Sequence, residues 1–452
     1  MFTNEVQEVF ASGGIHFKNH LVKIKFRCFI ADAPARAFIL NHKGHMSSKP
    51  CSKCKVIGSR FEGRMIFRGT DHCLRTDIEY DQELEDDHHK EGGSPLTLLR
   101  IGRVTGVPYD EMHLVFLGVM KKLIEAGVDG KFSRAAKWSG RQISVISSRL
   151  KDIGKLCPRE FSRPPRPISE FKRYKATEFR QFLLYTGPVV LYGVLESDYY
   201  LHFLLLHIAI RILSTSSASP EDLLFAEYAL KLFVTSAEDL YGPAFLSYNV
   251  HGLLHLVDGY RRFGALDSFS AFPYENNMPI FRKYVRNQHC PLQQFARRLM
   301  ERDCYTTFNK VSHSHENRLL GMHNAGPLPE NCDASARQFA KLKSGKKIFS
   351  INDGNNTVML KDGSLCEICN ILDIGGHQVL VARKFNTVQN LYNLGRSSSS
   401  VGIFKCTNVS SDIELVAVSD VAAKCYRMPL WSGTGTNSNR VVVVIMTLLH
   451  HA

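Results

Sequence analysis

The strongest constraint on the fold is the hydrophobic pattern, which changes twice along the 452-residue chain. Residues 22–30 alternate apolar and basic side chains and then become fully apolar, which predicts a strand with one solvated face that becomes buried. From Tyr109, apolar residues recur at helical spacing for about 200 residues. Beyond residue 347 the pattern returns to short alternating runs, separated by turn signals such as Asn352-Asp-Gly and Lys361-Asp-Gly. The sequence therefore predicts a mainly helical block between two parts that contain strands.

These changes of pattern divide the chain into four parts. Residues 1–108 hold a partial α/β core, a Cys- and His-rich loop and an acidic insertion, residues 109–302 hold the helices, residues 303–346 form a polar linker, and residues 347–452 form a small β-domain. The acidic insertion, residues 77–91, is typical of a solvated, mobile segment. The expected fold class is α/β, with a large helical insertion and a small C-terminal β-domain.

The charge balance favours an anionic partner. Fifty-seven Lys and Arg against 43 Asp and Glu give a formal charge of +14 and a pI near 9.2, which favours nucleic acid before an acidic membrane. Basic side chains are concentrated in residues 131–180. No apolar run approaches the ~20 residues that span a bilayer, and no signal peptide opens the chain. The twelve cysteines are therefore expected to be reduced, in the nucleus or cytosol.

An acid follows the predicted N-terminal strand. Asp32 stands just past the end of that strand and just before a helix that Pro34 opens. Carboxylates at such strand ends bind ligands and metals in α/β sheets. The commoner role of an acid at this position is to cap the helix. Both roles stay open for Asp32.

Glu275 presents a similar choice. It opens a predicted helix whose next turns carry Arg282, Lys283 and Arg286. A metal ligand and phosphate-binding cations would then lie together. The alternative is a helix-start glutamate that compensates the helix dipole.

Cys51-x-x-Cys54 has the tight spacing of a chelating pair, and it lies in a loop with few apolar residues of its own. His42 and His45 precede the pair and, with His113, are the expected remaining ligands of a structural zinc ion. The alternative is a pair of reduced surface thiols.

Two further patterns involve histidine. Asp110-x-x-His113, at the start of a helix, puts both side chains on one face, where they bind a metal or each other, although a capping Asp beside a hydrogen-bonded His is commoner. His251-x3-His255 resembles one face of a two-histidine site. It lacks the glutamate of the zinc-protease motif, so a packing or hydrogen-bonding role is expected.

Several of these segments together resemble the catalytic region of CACTA-like (En/Spm-type) DNA transposases and of transposase-derived proteins of invertebrates. The most specific blocks are Asp32-Ala-Pro-Ala-Arg36 and Asp110-Glu-Met-His113. The resemblance covers about residues 1–300 in order and spacing. The segments that carry it are residues 31–38, 51–54, 110–118, 175–185, 251–255 and 272–275.

The resemblance implies a ribonuclease-H-like core interrupted by a helical insertion, with three carboxylates that bind two Mg²⁺ ions to cut and join DNA. On this basis Asp32 is similar to the second carboxylate and Glu275 to the third, and Asp110 and His113 are similar to the family's Asp-x2-His element. The first carboxylate has no counterpart. Only 31 residues precede Asp32, and the acids among them lie on a helix-like stretch.

The chain is therefore expected to be a truncated or domesticated transposase relative that binds DNA in the nucleus. It is expected to lack strand transfer, because a two-metal site without one carboxylate loses its clamp on the attacking and leaving oxygens. The alternatives are an active metal-dependent transposase or nuclease, or a fragment of one, and a zinc-stabilised interaction scaffold; homo-oligomerisation stays open. The expected DNA-binding residues are Lys172, Arg173, Lys175, Arg180, Arg282, Lys283 and Arg286.

Overall fold

The computed structural model describes residues 2–82, 87–99, 101–308, 317–330, 332, 335–345, 347–431 and 442–449. The fold is mixed α/β, as expected at that level. Short helices and hairpins form the N-terminal part, a block of helices follows, and an antiparallel sheet forms the C-terminal part.

The predicted N-terminal strand forms only in part. Its first residue ends a short hairpin, and residues 23–30 form no helix or strand. The Phe29 N–H donates to the Gly106 carbonyl at 2.9 Å, and Ala31 pairs in parallel with Tyr109. The elements before this segment are helix α1 (Phe2–Ala11) and strands β1 (Ile15–Phe17) and β2 (His20–Val22). Further along the N-terminal part, strands β3 (Ser59–Phe61) and β4 (Arg64–Ile66) form a second short hairpin.

Asp32 caps the helix that the sequence predicts after it. One carboxylate oxygen of Asp32 accepts the Ala35 N–H at 2.8 Å, and Pro34 occupies the first turn of helix α2 (Ala33–Ile39). This satisfies one of the N–H groups that a helix start leaves unpaired. The capping role considered for Asp32 is confirmed.

The described part of the acidic segment packs against the rest of the protein. Helix α3 (Asp77–Asp81) begins with a capping box formed by Thr76 and Glu79. The Asp77 carboxylate accepts the backbone N–H groups of Val104 and Thr105 at 2.7 and 3.0 Å. The expectation of a solvated, mobile insertion is therefore wrong for this helix, whereas Glu83, Glu85 and Asp86 lie outside the described residues.

The helical block follows the predicted periodicity. It begins with a π-helical segment, Met112–Met120, and contains a helix that is apolar nearly all round, α8. A helix of that kind must be covered by neighbours on all sides. The α-helices of the block are α4 (Lys121–Asp129), α5 (Gly140–Gly154), α6 (Ala176–Gln181), α7 (Gly187–Val190), α8 (Ser197–Leu213), α9 (Pro220–Tyr241), α10 (Tyr248–Gly252), α11 (Leu256–Phe263), α12 (Phe272–Tyr284) and α13 (Pro291–Phe308).

The last two helices lie at the edge of the core, against which Phe272 at the start of α12 packs. No residue of α12 is buried, and α12 contacts α13 through the rings of Phe281 and Phe295, whose centroids lie 5.2 Å apart. Within the described ranges, no helix combines the length and apolar character needed to cross a membrane.

The C-terminal sheet starts earlier than expected, because two strands lie in the segment predicted as a linker, residues 303–346. The same segment also contains the end of α13. The strands are β5 (Arg318–His323), β6 (Arg337–Ser344), β7 (Lys347–Ser350), β8 (Thr357–Leu360), β9 (Leu365–Ile374), β10 (His377–Asn390), β11 (Ile403–Val409), β12 (Glu414–Ala417), β13 (Val421–Pro429) and β14 (Val443–Thr447).

Six of these strands form a closed circuit of antiparallel pairs, in the order β8, β9, β10, β11, β14, β13 and back to β8. Closure removes exposed strand edges from this part of the sheet. Each of the six strands contributes a side chain to one apolar cluster: Met359, Leu365, Phe385, Cys406, Cys425 and Ile445.

The sheet and the helical block share one hydrophobic core. Tyr426, Val444 and Met446 of the sheet pack with the helices. The fully buried Arg211 of α8 donates to the carbonyls of Val401 and Thr447 at 2.6 and 2.8 Å. The C-terminal strands are therefore docked on the helices rather than tethered by a free linker.

Candidate metal centre

Two cysteines and two histidines converge in the interior. Cys51 and Cys54 come from the loop after α2, and His251 and His255 come from α10 and from the turn before α11. All four residues are buried, and their ligand atoms lie within 4.8 Å of one another. This cluster could hold a metal ion.

The distances fit a single tetrahedral ion. The Cys51 Sγ lies 3.4 Å from the His255 Nε2, the Cys54 Sγ lies 3.3 Å from the His251 Nε2, and the two Nε2 atoms lie 3.4 Å apart. Around a tetrahedral zinc with Zn–S near 2.3 Å and Zn–N near 2.0–2.1 Å, the S–N and N–N separations are about 3.6 and 3.4 Å. The cluster needs little rearrangement to bind such an ion.

Arg75 holds the loop that carries the two cysteines in place. Its Nε donates to the carbonyls of Cys51 and Cys54 at 3.0 and 3.1 Å. The Lys53 N–H also donates to the Cys51 Sγ at 3.3 Å. The backbone between the two cysteines is thus held in the turn that chelation requires.

A chain of aromatic hydroxyls connects the centre to a buried arginine. The Tyr109 hydroxyl lies 3.3 Å from the Cys51 Sγ and 3.1 Å from the Tyr248 hydroxyl. Arg36 donates to that second hydroxyl at 3.1 Å and stacks on the Tyr109 ring at 4.1 Å. This positive charge favours a thiolate at Cys51.

The two thiols differ in proton affinity. Burial by itself raises the pKa of Cys51, but the hydrogen bond from Cys54 and the charges of His255 and His251 hold that pKa well below its usual value. The hydrogen bond to Cys51 and burial both raise the pKa of Cys54. The two sulfurs therefore share one proton, and a metal cation displaces that proton when it binds.

The histidines expected as the remaining ligands lie outside the cluster. His251 and His255 have the packing and hydrogen-bonding contacts expected for them, and they are also the histidines that could bind a metal ion. The His42 Nδ1 lies 2.7 Å from the Lys43 carbonyl, and its ring stacks on His88. His45 lies beside Tyr248, with ring centroids 6.2 Å apart, and the His113 Nδ1 lies 2.6 Å from Asp110. Spacing of i, i+4 was the available signal for His251 and His255, but the cysteines beside them lie 197 and 204 residues away in the sequence.

The acidic residues also converge, around His113. Ala31 pairs in parallel with Tyr109. The residues that follow them, Asp32 and Asp110, therefore lie on neighbouring segments of the chain. An Asp110 oxygen accepts the Ala271 N–H at 2.6 Å, just before the helix that carries Glu275. The hydrogen bond to Asp110 raises the pKa of His113 despite burial, and the charges of Asp110, Asp32 and Glu275 add to this.

The Asp110 carboxylate is fully engaged by protein donors. One oxygen accepts the Ala271 N–H, and the other accepts the His113 N–H at 3.0 Å and lies 2.6 Å from the His113 Nδ1. Asp110 is also 2 % exposed. It therefore orients His113 and anchors α12, and the interpretation of the Asp110-x-x-His113 pattern as a mutual contact is confirmed.

The magnesium site expected at Asp32 and Glu275 has no support from the geometry. Among the residues that the structure describes, the group of three or more metal-binding side chains with ligand atoms within 4.8 Å consists of Cys51, Cys54, His251 and His255. Asp32 and Glu275 do not belong to it.

The expected DNA-binding residues lie on two parts of the surface. Arg173 and Lys175 are exposed, Lys172 lies 3.1 Å from the Asp129 carboxylate, and Arg180 stacks on Phe272 at 5.4 Å. On α12 and just after it, Arg282, Lys283 and Arg286 are exposed.

Comparison with known proteins gives one family match. Residues 322–448 match the family described as a domain of unknown function, DUF8592. No curated protein and no solved structure matches the chain. The match covers most of the C-terminal sheet and none of the metal centre, so the C-terminal β-unit is similar to a DUF8592 domain and the function of the rest is inferred from its own geometry.

Proposed function

We propose that this chain is a nuclear DNA-binding protein related to CACTA-like transposases, stabilised by one structural zinc ion, and that it does not cut DNA. The observation that carries the proposal is the convergence of the six segments that carry the resemblance. Cys51 and Cys54 meet His251 and His255, and Phe272 lies against both Phe116 and Arg180. Arg36 stacks on Tyr109, the residue just before the segment 110–118.

The donor set favours zinc. Two thiolates and two imidazoles suit Zn²⁺, whereas Mg²⁺ prefers oxygen ligands. Four protein ligands leave no open position for substrate, and all four are buried. The ion is therefore proposed as a structural link between the N-terminal part and the helical block.

The arrangement of the acidic residues supports a partial ribonuclease-H-like core. Two neighbouring parallel segments each end in a carboxylate, Asp32 and Asp110, and a helix start with Glu275 is fastened beside them. Asp32 and Glu275 are the residues that the resemblance compares with the family's second and third carboxylates. A DNA strand near these residues would lie beside Arg180.

DNA binding is proposed to depend on phosphate contacts, so we expect affinity for duplex DNA to fall at least tenfold between about 50 and 200 mM salt. Fluorescence anisotropy with a labelled duplex measures this. Replacing two exposed cations, Arg173→Gln with Lys175→Gln, should weaken binding by about tenfold and flatten the salt dependence. A change of less than about threefold over this salt range would rule out dominant phosphate contacts.

A matched control removes the same charge elsewhere. Lys343 and Lys361 are exposed on the C-terminal sheet. The double variant Lys343→Gln with Lys361→Gln is expected to bind duplex DNA within about twofold of the unaltered chain, because general loss of charge contributes little beyond the contact surface. Equal weakening in both double variants would contradict the proposed location of the surface.

We expect the 452-residue chain neither to nick nor to join DNA that carries terminal inverted repeats, in Mg²⁺ or Mn²⁺. Asp110 is engaged by protein donors, and one oxygen of Asp32 caps α2. The remaining carboxylates hold at most one loosely bound ion, which does not supply the clamp of a two-metal site. Supercoiled-plasmid nicking measures the outcome. If the chain cleaves DNA, and if Asp32→Asn and Glu275→Gln each abolish that cleavage, the alternative of an active nuclease or transposase is established instead.

A scaffold without a DNA role is the second alternative. It predicts a zinc-containing, folded protein whose affinity for duplex DNA does not depend on Arg173 and Lys175. The anisotropy series therefore separates the two proposals even when the metal content is the same.

A further inference from the structure

A cavity of about 90 Å³ adjoins the metal centre. His255, Asp258, Gly259 and Arg262 line one side of it. Asp258 and Gly259 each lie three or four residues from both His255 and Arg262, so the four residues share one helix face. The other walls come from Lys53 in the cysteine loop, from Leu74 and Arg75, and from residues of the segment 104–109.

The cavity carries more positive than negative charge. Lys53, Arg75 and Arg262 line it, against one acid, Asp258. The Asp258 carboxylate is already paired with Arg261, at 3.1 Å.

Two of the three cations are held in place by the protein. The Lys53 Nζ donates to the Val107 carbonyl at 2.7 Å, and Arg75 donates to the carbonyls of the metal loop. Arg262 differs from them: it is exposed, and within the described ranges its guanidinium has no ion pair or hydrogen bond. It is therefore available to a ligand in the cavity.

We propose that this cavity binds a phosphate group. A volume of about 90 Å³ has room for a tetrahedral oxyanion. A guanidinium matches a phosphate with two parallel N–H···O bonds. Apolar walls from Val104, Pro108 and Phe263 strengthen the attraction by excluding water. The group is supplied by free phosphate or by a terminal phosphate of a nucleic acid.

The test uses the zinc-loaded full chain and isothermal titration calorimetry. One arm titrates inorganic phosphate, and the other titrates short duplexes with 5′-phosphate or 5′-hydroxyl ends at a salt concentration that suppresses binding to internal phosphates. We expect saturable binding in at least one arm. We also expect the 5′-phosphate duplex to bind at least tenfold more tightly than its hydroxyl counterpart if that arm is the source.

An arginine away from the cavity provides a matched control. Arg262→Gln should weaken phosphate binding at least tenfold, Arg262→Lys should retain part of it, and Arg68→Gln should stay within about twofold, because Arg68 pairs with Glu238 and does not line the cavity. Zinc content should be unchanged in all three. Absence of saturable binding in both arms, or equal affinity in Arg262→Gln and the unaltered chain, would overturn the proposal. The residues of the cavity lie outside the proposed DNA-binding surface of residues 131–180. A failure of DNA binding at that surface would therefore not affect the result of the phosphate titration.

Discussion

Removing the metal should lower the midpoint of thermal unfolding by more than about 10 °C. Cys51 and Cys54 are 0 and 1 % exposed and meet histidines about 200 residues away, so the ion closes a long loop as well as satisfying four buried ligands. Structural zinc sites contribute on the order of 10 kcal/mol of binding free energy. With an unfolding entropy of about 2.1 cal/mol/K per residue, a loss of about 10 kcal/mol from the folding of the 452 residues gives a shift of this size. Calorimetry or circular dichroism with and without a chelator measures it.

Single replacements should reproduce the chelator effect. Cys51→Ser and His255→Asn each remove one ligand and should destabilise the chain by a similar amount, with no further effect of chelator. Cys73→Ser is the matched control, because Cys73 lies beside the cysteine loop, where its carbonyl accepts the Lys55 N–H at 2.8 Å, but its side chain is exposed. A chelator-insensitive midpoint, or equal midpoints for Cys51→Ser and Cys73→Ser, would contradict a structural metal here.

Acid should destabilise the helical block well before the carboxylates are protonated. Burial lowers the pKa of His202 to about 4 and that of His207 to about 3, both in α8. In the unfolded chain histidine titrates near pH 6.5, so below that value the unfolded state binds more protons and the free energy of unfolding falls. The loss is about 2 kcal/mol per histidine at pH 5 and continues to grow down to about pH 4.

Acid also releases a bound metal ion, so a variant is needed that removes the titrating imidazole of His207 but keeps its hydrogen bond. The His207 Nδ1 lies 2.6 Å from the Leu183 carbonyl, and an asparagine amide reaches the same position. In zinc-loaded protein, the loss of unfolding free energy in urea between pH 7.5 and pH 5 should be about 2 kcal/mol smaller for His207→Asn than for the unaltered chain. Equal losses would show that His207 is protonated in the native state.

Local features of the N-terminal part were readable from the sequence because they depend on neighbours in the chain. The position of Asp32 before Pro34 predicts the cap of α2, and the three-residue spacing of Asp110 and His113 predicts their contact. Both involve side chains within one helical turn. Short-range geometry determines such contacts before any tertiary packing is known.

The metal ligands show where this reasoning stops. The tight Cys51-x-x-Cys54 spacing indicates half of a site, but proximity in sequence favoured His42 and His45 as its completion. His42 instead packs in a buried group with His88 and His89. Ligands that meet through tertiary folding leave no local signal beyond their own i, i+4 spacing.

The C-terminal boundary was missed for a similar reason. Strand β5 is largely exposed and lacks a clear alternation, and β6 finds its partners in β5, β7 and β9. A polar stretch of this kind is stabilised as a strand by pairing with neighbours rather than by its own pattern. The later strands, with strong alternation between turn signals, were predictable.

X-ray absorption at the zinc edge, on the purified full chain, tests the metal centre most directly. The account predicts one zinc per chain with two sulfur neighbours near 2.3 Å and two nitrogen neighbours near 2.0–2.1 Å, and the loss of one nitrogen neighbour in His251→Asn. Folded protein without zinc, or a zinc shell made of oxygen and nitrogen alone, would contradict it.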